Sequence, residues 1–131
     1  MLVFLVRHAH ADPGDPDELR DLSVRGEQEA DALAQRLAAH VTPPTLVLTS
    51  PLLRARQTAE RIAAAARAEV RADERLAPGA TAGDVRAALA EEHGPVAVVG
   101  HQPDCSEIAA ELTGRDPGFP TGGAFELSLD A

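Results

Sequence analysis

Three phenylalanines are the whole aromatic complement of this 131-residue chain, which has no tryptophan and no tyrosine. A core without large rings has to be assembled from Leu, Val, Ile and many alanines, so its helices must be thin and closely packed. The single cysteine, Cys105, excludes an intramolecular disulfide and suits a reducing cytoplasm. Acidic residues outnumber basic ones 21 to 12, a net charge of −9. That balance argues against a general basic surface for nucleic acid or anionic membrane. No apolar run approaches membrane-spanning length. The first, Met1–Val6, stops at Arg7 and is too short for the apolar region of a secretion signal. Internal repeats, long linkers and low-complexity segments are missing as well. The expectation left is one cytoplasmic, soluble domain over 1–131, long enough to bury roughly two thirds of its unfolded surface.

What is present is alternation. The run Met1–Val6 reads as a buried strand, followed by the loop Ala11–Asp17, dense in turn formers and carboxylates. Ser23 is the expected N-cap of a helix running to about His40, with Glu27 and Glu29 near its positive end. Ala30, Leu33, Ala34 and Leu37 give that helix one apolar face. Thr45–Thr49 reads as a strand, and Ser50-Pro51 as the cap and first residue of a second helix carrying Ala55, Thr58, Ala59, Ile62 and Ala66 inward. A short edge strand near Glu69–Arg71, a helix from about Ala82 to Glu92, and a strand Val96–Val99 follow. Pro103 opens a last helix, with Cys105, Ile108, Ala109 and Leu112 inward. A strand near Ala124–Leu129 alternates as an antiparallel or edge strand does. This order predicts a three-layer αβα sandwich around a mostly parallel sheet.

The chemistry sits where the apolar runs stop. Arg7-His8 ends the first run, Gly100-His101 ends the run at Val96–Val99, and Arg54 lies just beyond the run at Thr45–Thr49. Open α/β sheets bind ligands at the carboxyl ends of their strands, so these residues converge on one rim. Two histidines and two arginines at one point make a site for phosphate.

These segments also carry a resemblance. Arg7-His8-Ala9 resembles the Arg-His-Gly signature of the histidine phosphatase superfamily, the phosphoglycerate-mutase-like proteins, with alanine in place of glycine. Thr49–Glu60 is similar to that family's second motif, and Gly100-His101 to its third. Leu22-Ser23 with Gly26 resembles the Leu-Ser/Thr-x-x-Gly turn between the first two. The match runs in order from Met1 to about Gly114. Short length, Arg20 just before Leu22, and Leu76-Ala-Pro-Gly79 resemble the SixA-type branch, the small phosphohistidine phosphatases.

The resemblance implies roles. His8 is the expected nucleophile, attacking phosphorus through a neutral ring nitrogen while a backbone carbonyl holds the other and fixes the tautomer. Arg7 and Arg54 are expected to clamp the phosphoryl oxygens with planar forks that lysine does not reproduce. His101 adds a hydrogen bond, and Arg20 either adds charge as a substrate-binding residue or simply pairs with Asp21 or Asp17. Helix N-termini near Pro51 and Pro103 offer further backbone donors. No metal and no cofactor is expected. Larger relatives protonate the leaving oxygen with a carboxylate from an inserted segment, and Leu76-Ala-Pro78 has none at the matching place. An ester oxygen needs that proton, since general-acid help is typically worth about 10²–10⁴ in rate. A phosphoramidate nitrogen needs it less, which points to a phosphohistidine-bearing protein as the substrate, unless Asp104 or Asp12 serves as acid.

Other readings compete. A broad small-molecule phosphatase of the same superfamily is the main alternative. His8, His10 and Asp12 spell a His-x-His-x-Asp spacing used by metal-dependent hydrolases, but that leaves Arg7, Arg54 and the second motif without a purpose. A non-catalytic phosphate-binding scaffold would be marked by loss of His8 or an arginine, and both are present. Arg56 reads as a solvated helix residue, His40 and His93 as helix-end residues, and Cys105 as a small core residue. The acidic loop from Asp12 to Glu18 reads as a solvated connection.

Overall fold

The computed structural model describes residues 1–130. The strands are β1 (Leu2–Arg7), β2 (Leu46–Thr49), β3 (Glu69–Ala72), β4 (Val96–Gly100) and β5 (Ala124–Ser128). They form one five-stranded sheet in the order β3-β2-β4-β1-β5, parallel throughout except for β5 against β1. The helices are α1 (Val24–Ala38), α2 (Leu53–Ala66), α3 (Ala82–Leu89) and α4 (Asp104–Thr113). None is long and apolar enough to cross a membrane.

Side chains alternate across a strand, and β1 uses both faces. Val3 and Leu5 pack with Val85 and Leu89 of α3 and Ile108 of α4; Phe4 and Val6 pack with Leu33 and Leu37 of α1 and Ala55, Ala59 and Ile62 of α2. The central strands are therefore nearly continuous hydrophobic runs, as strands covered on both faces must be. The α/β three-layer arrangement and its antiparallel edge strand are those the alternation predicts.

Register is what builds the site. Arg7 pairs with Gly100 and Thr49 with Val99, so β1, β4 and β2 end level. The His8 N–H donates to the Gly100 carbonyl (3.0 Å) and the Ser50 N–H to the Val99 carbonyl (3.0 Å), carrying that alignment one residue past the strands. His8, Ser50 and His101 thus leave neighbouring strands at one height.

Two helix ends differ from the sequence expectation. The second helix begins at Leu53, with Leu52 and not Ser50 at its N-cap position. The Ser50 hydroxyl is engaged elsewhere, 2.7 Å from His101 Nε2, while accepting the Leu52 N–H at 3.2 Å. The third helix stops at Leu89, three residues short of Glu92, and the chain turns through Gly94 in the left-handed region (φ +59°) into β4.

Candidate active site

The first turn of α1 anchors the segment that follows β1. Ser23 caps the helix, its hydroxyl accepting the Gly26 N–H at 2.9 Å. The His10 carbonyl accepts the Ser23 N–H at 3.0 Å. A Cβ on Gly26 would stand 1.8 Å from that carbonyl oxygen, so only glycine lets the strand-to-loop backbone lie on the helix start. Gly26→Ala is expected to cost about 2–3 kcal/mol in urea unfolding and to displace the His8–His10 segment. An unchanged unfolding midpoint would refute this account of the Leu22-Ser23-x-x-Gly26 turn.

His8 stands at the end of β1 with Nδ1 2.7 Å from its neighbour Ala9's carbonyl. A carbonyl only accepts, so Nδ1 carries the proton and Nε2 keeps its lone pair. Burial, first of all, pushes the His8 pKa down from 6.5 to about 4; the bond to Ala9 opposes this, and the charges of Arg54, Arg7 and Arg20 reinforce it. His8 is a neutral base at pH 7. His101 lies beside it, ring centroids 5.1 Å apart, and is 4% exposed. Its pKa is likewise pushed down to about 4 by burial, then by His8, Arg54 and Arg7, with Asp17 acting in the opposite sense.

The arginines converge from different elements. Arg7 closes β1, and its Nη1 donates to the Phe119 carbonyl at 2.9 Å. Arg54, 7% exposed, sits in the first turn of α2 rather than on a strand end. Arg20 is held at the edge by the Asp12 carbonyl (2.8 Å from Nε) and the Asp17 carboxylate (3.0 Å from Nη1). Arg7 Nε, Arg54 Nε and His101 Nδ1 are buried and carry no hydrogen-bond partner among the described residues. Buried donors left unspent beside two neutral imidazoles suit an oxyanion.

The structure thus brings His8, Arg7, Arg54, His101 and Arg20 together. It does not add His10 and Asp12 as metal ligands: His10 Nδ1 is bonded to the Ser23 hydroxyl at 2.7 Å. Among the described residues no group of three or more His, Cys, Asp or Glu side chains could hold a metal ion. Asp104 is buried and accepts the Gly79 N–H at 2.9 Å, while Asp12 is exposed. Arg56 is half-buried rather than fully solvated. His40 accepts the Thr42 N–H and pairs with Glu126 at 3.0 Å. Cys105 is buried against the Val6 carbonyl, its thiol pushed up to about 12 by burial.

Three contributors escaped the sequence reading. Ser50, expected as a helix cap, holds His101 instead. Thr58, expected only as an inward helix residue, accepts the Ala9 N–H (3.0 Å) and donates to the Arg54 carbonyl (2.8 Å), tying the His8 segment to α2. Asp17, placed in a solvated loop and weighed only as a partner for Arg20, also binds Arg54: its carbonyl accepts Arg54 Nη1 at 2.9 Å and its carboxylate accepts Arg54 Nη2 at 3.2 Å. Only the Asp17–Arg20 spacing, three residues across a single 3-10 turn, carried a local signal.

Comparison with known proteins agrees with this geometry. The family model of the histidine phosphatase superfamily (branch 1) matches residues 3–78. An uncharacterized protein of Picosynechococcus sp. is 40% identical over 111 residues, covering 81% of this chain and 65% of that relative. The structure of the protein histidine phosphatase SixA complexed with tungstate superposes with a TM-score of 0.89 at 31% identity, covering 99% of this chain and 89% of the other. A proposed phosphohistidine phosphatase SixA from Agrobacterium tumefaciens gives 0.84 at 28% identity, over 95% and 89%. The model match, spanning both Arg7-His8 and the Thr49–Glu60 segment, decides the assignment: the chain belongs to the histidine phosphatase superfamily, branch 1.

Proposed function

We propose that the chain is a phosphatase with a histidine nucleophile, a single catalytic domain over 1–131 whose substrate is phosphohistidine on a protein. The observation that carries this reading is the state of His8: neutral, with Nδ1–H fixed on the Ala9 carbonyl and the Nε2 lone pair free beside Arg7, Arg54 and Arg20. In the first step Nε2 bonds to phosphorus as the substrate's P–N bond breaks, its electron pair returning to the departing ring nitrogen. Arg7 and Arg54 hold the equatorial oxygens, and the negative charge gathering there is met by buried donors in place. Water then attacks the phosphorylated His8, releasing inorganic phosphate and restoring the imidazole. No step draws on a metal or cofactor.

Support for a nitrogen-linked substrate comes from the carboxylates. Asp104 is committed to the Gly79 N–H, and Arg20 and Arg54 hold the Asp17 carboxyl below its usual range, so it is ionised at neutral pH. Neither is set to protonate an ester oxygen, whereas a protonated imidazole leaves without help. The likeness to two SixA structures, one holding the oxyanion tungstate, favours the same reading.

The test is a paired assay of the purified wild-type protein on a phosphohistidine-bearing protein and on p-nitrophenyl phosphate, with EDTA present. Loss of phosphohistidine is expected at a kcat/KM at least about 10²-fold above that for an alkyl phosphate assayed beside them, the ester whose poor leaving group most needs a general acid. Rapid aryl turnover with phosphohistidine untouched would make this a general phosphatase. Inactivation by EDTA would restore a metal site.

A further inference from the structure

The anion cradle already holds a carboxylate. Asp17, on the 3-10 turn Asp17–Leu19, bridges the two arginines that reach it, Nη2 of Arg54 at 3.2 Å and Nη1 of Arg20 at 3.0 Å. Its side chain is 60% exposed whereas that of Arg54 is 9% exposed, so the carboxylate lies on the solvent side of the guanidinium. Arg54 spends its Nη1 and Nη2 on Asp17, and its buried Nε has no partner among the described residues. A guanidinium has five N–H donors. Asp17 takes one N–H from each of Nη1 and Nη2, so the guanidinium can keep Asp17 and still offer its other N–H groups to a phosphoryl oxygen.

In-line displacement fixes what Asp17 would face. A phosphoryl group taken by His8 Nε2 in line has its leaving group on the far side of phosphorus from that nitrogen. Asp17, exposed on the outer side of the buried Arg54, is a carboxylate on the solvent-facing rim of the cradle, where a leaving group carried by a protein would enter.

We propose that Asp17 is a specificity-determining residue for the leaving group: its carboxylate, anchored between Arg20 and Arg54, receives the N–H of a departing protonated nitrogen base and disfavours a departing oxyanion. This rests on the nitrogen-linked substrate read above and deepens it. As the His8 Nε2–P bond forms, the substrate P–N bond breaks and its electron pair returns to the ring nitrogen. The proton on the ring's other nitrogen stays there, hydrogen-bonded to Asp17, and the base leaves as neutral imidazole. A phenolate leaving beside the same carboxylate meets like charge. Asp17 gives up no proton in this scheme, so it acts by stabilising the protonated substrate and not as a general acid.

The experiment is Asp17→Asn, nearly isosteric on an exposed turn, with Asp17→Ser as a second variant. Each is assayed against an Nε-phosphohistidine peptide and p-nitrophenyl phosphate. The two substrates are expected to move in opposite directions. kcat/KM for the peptide falls about tenfold, the loss of one charge-assisted hydrogen bond. For the aryl ester it rises a few-fold as the repelling charge is removed. A rise for both would make Asp17 a mere competitor of phosphate for the arginines. A fall for both, or no change, would reduce it to a prop for Arg54 and Arg20. Any of these overturns the proposal. Wild-type protein that leaves the peptide untouched would instead overturn the nitrogen-linked reading, and this inference with it.

Discussion

Replacing His8 with alanine is expected to abolish turnover of every phosphoryl substrate, by at least about 10⁴-fold in kcat, while the protein stays folded and still binds oxyanions. The separation follows from how residue 8 is held. Its backbone N–H donates to the Gly100 carbonyl and its carbonyl accepts the Gly122 N–H, both at 3.0 Å, and neither bond involves the imidazole. The only side-chain bond lost is to the adjacent Ala9 carbonyl. Arg7 keeps its hold on Phe119 and Arg54 its hold on Asp17, so the cationic cradle survives without the imidazole. Tungstate or inorganic phosphate is therefore expected to raise the Tm of His8→Ala and of wild type alike. An acid-labile phosphoenzyme is expected to be trapped from wild type during turnover and to be missing from the variant. Activity of even a few per cent in His8→Ala would mean that another group or water attacks phosphorus directly, and the covalent scheme would fall.

The parts of this molecule that could be read from its sequence are those whose physics is local. Val3 to Val6 and Val96 to Val99 are short, continuous apolar runs, rich in β-branched valine, because both sheet faces are covered. Leu22-Ser23-x-x-Gly26 is legible because a cap and a close backbone approach each demand a particular residue type. Ser50 marks where local signals end. A serine before a proline is the ordinary start of a helix, and only the contact with His101, 51 residues away, turns it inward. Asp17 is the same case across 37 residues to Arg54: the turn formers around it look like any solvated loop. The apolar pattern places elements, and strand register then places the residues that follow them. Which polar side chains meet across elements is not periodic, so it stays hidden until the elements are docked.

Acid is expected to unfold this protein over the range in which ordinary histidine titrates, not only below it. His8 and His101 have pKa values near 4 in the folded protein against 6.5 for an unperturbed histidine. Between those values the unfolded chain binds protons that the folded chain refuses, so stability is complete above about pH 6.5 and drains as pH falls toward 4. For His101, 4% exposed, the full loss amounts to about 3 kcal/mol, approached at up to about 1.4 kcal/mol per pH unit. The carboxylates held below their usual range, Asp17, Glu29 and Asp73, also lose stability with acid, but their window begins near pH 4.5 and extends lower. A decline between pH 6.5 and 5 therefore belongs to the two histidines. Urea unfolding of wild type and His101→Gln at pH 7, 6 and 5 separates the contributions. The variant starts less stable at pH 7, having lost the Ser50 contact, yet falls more slowly with acid. Parallel declines would mean that His101 is protonated in the folded state at pH 5 and that burial does not keep it neutral. The same neutrality bears on catalysis: kcat/KM, which reports the free enzyme, should show no acid limb at 6.5, because Nε2 of His8 keeps its lone pair well below that pH.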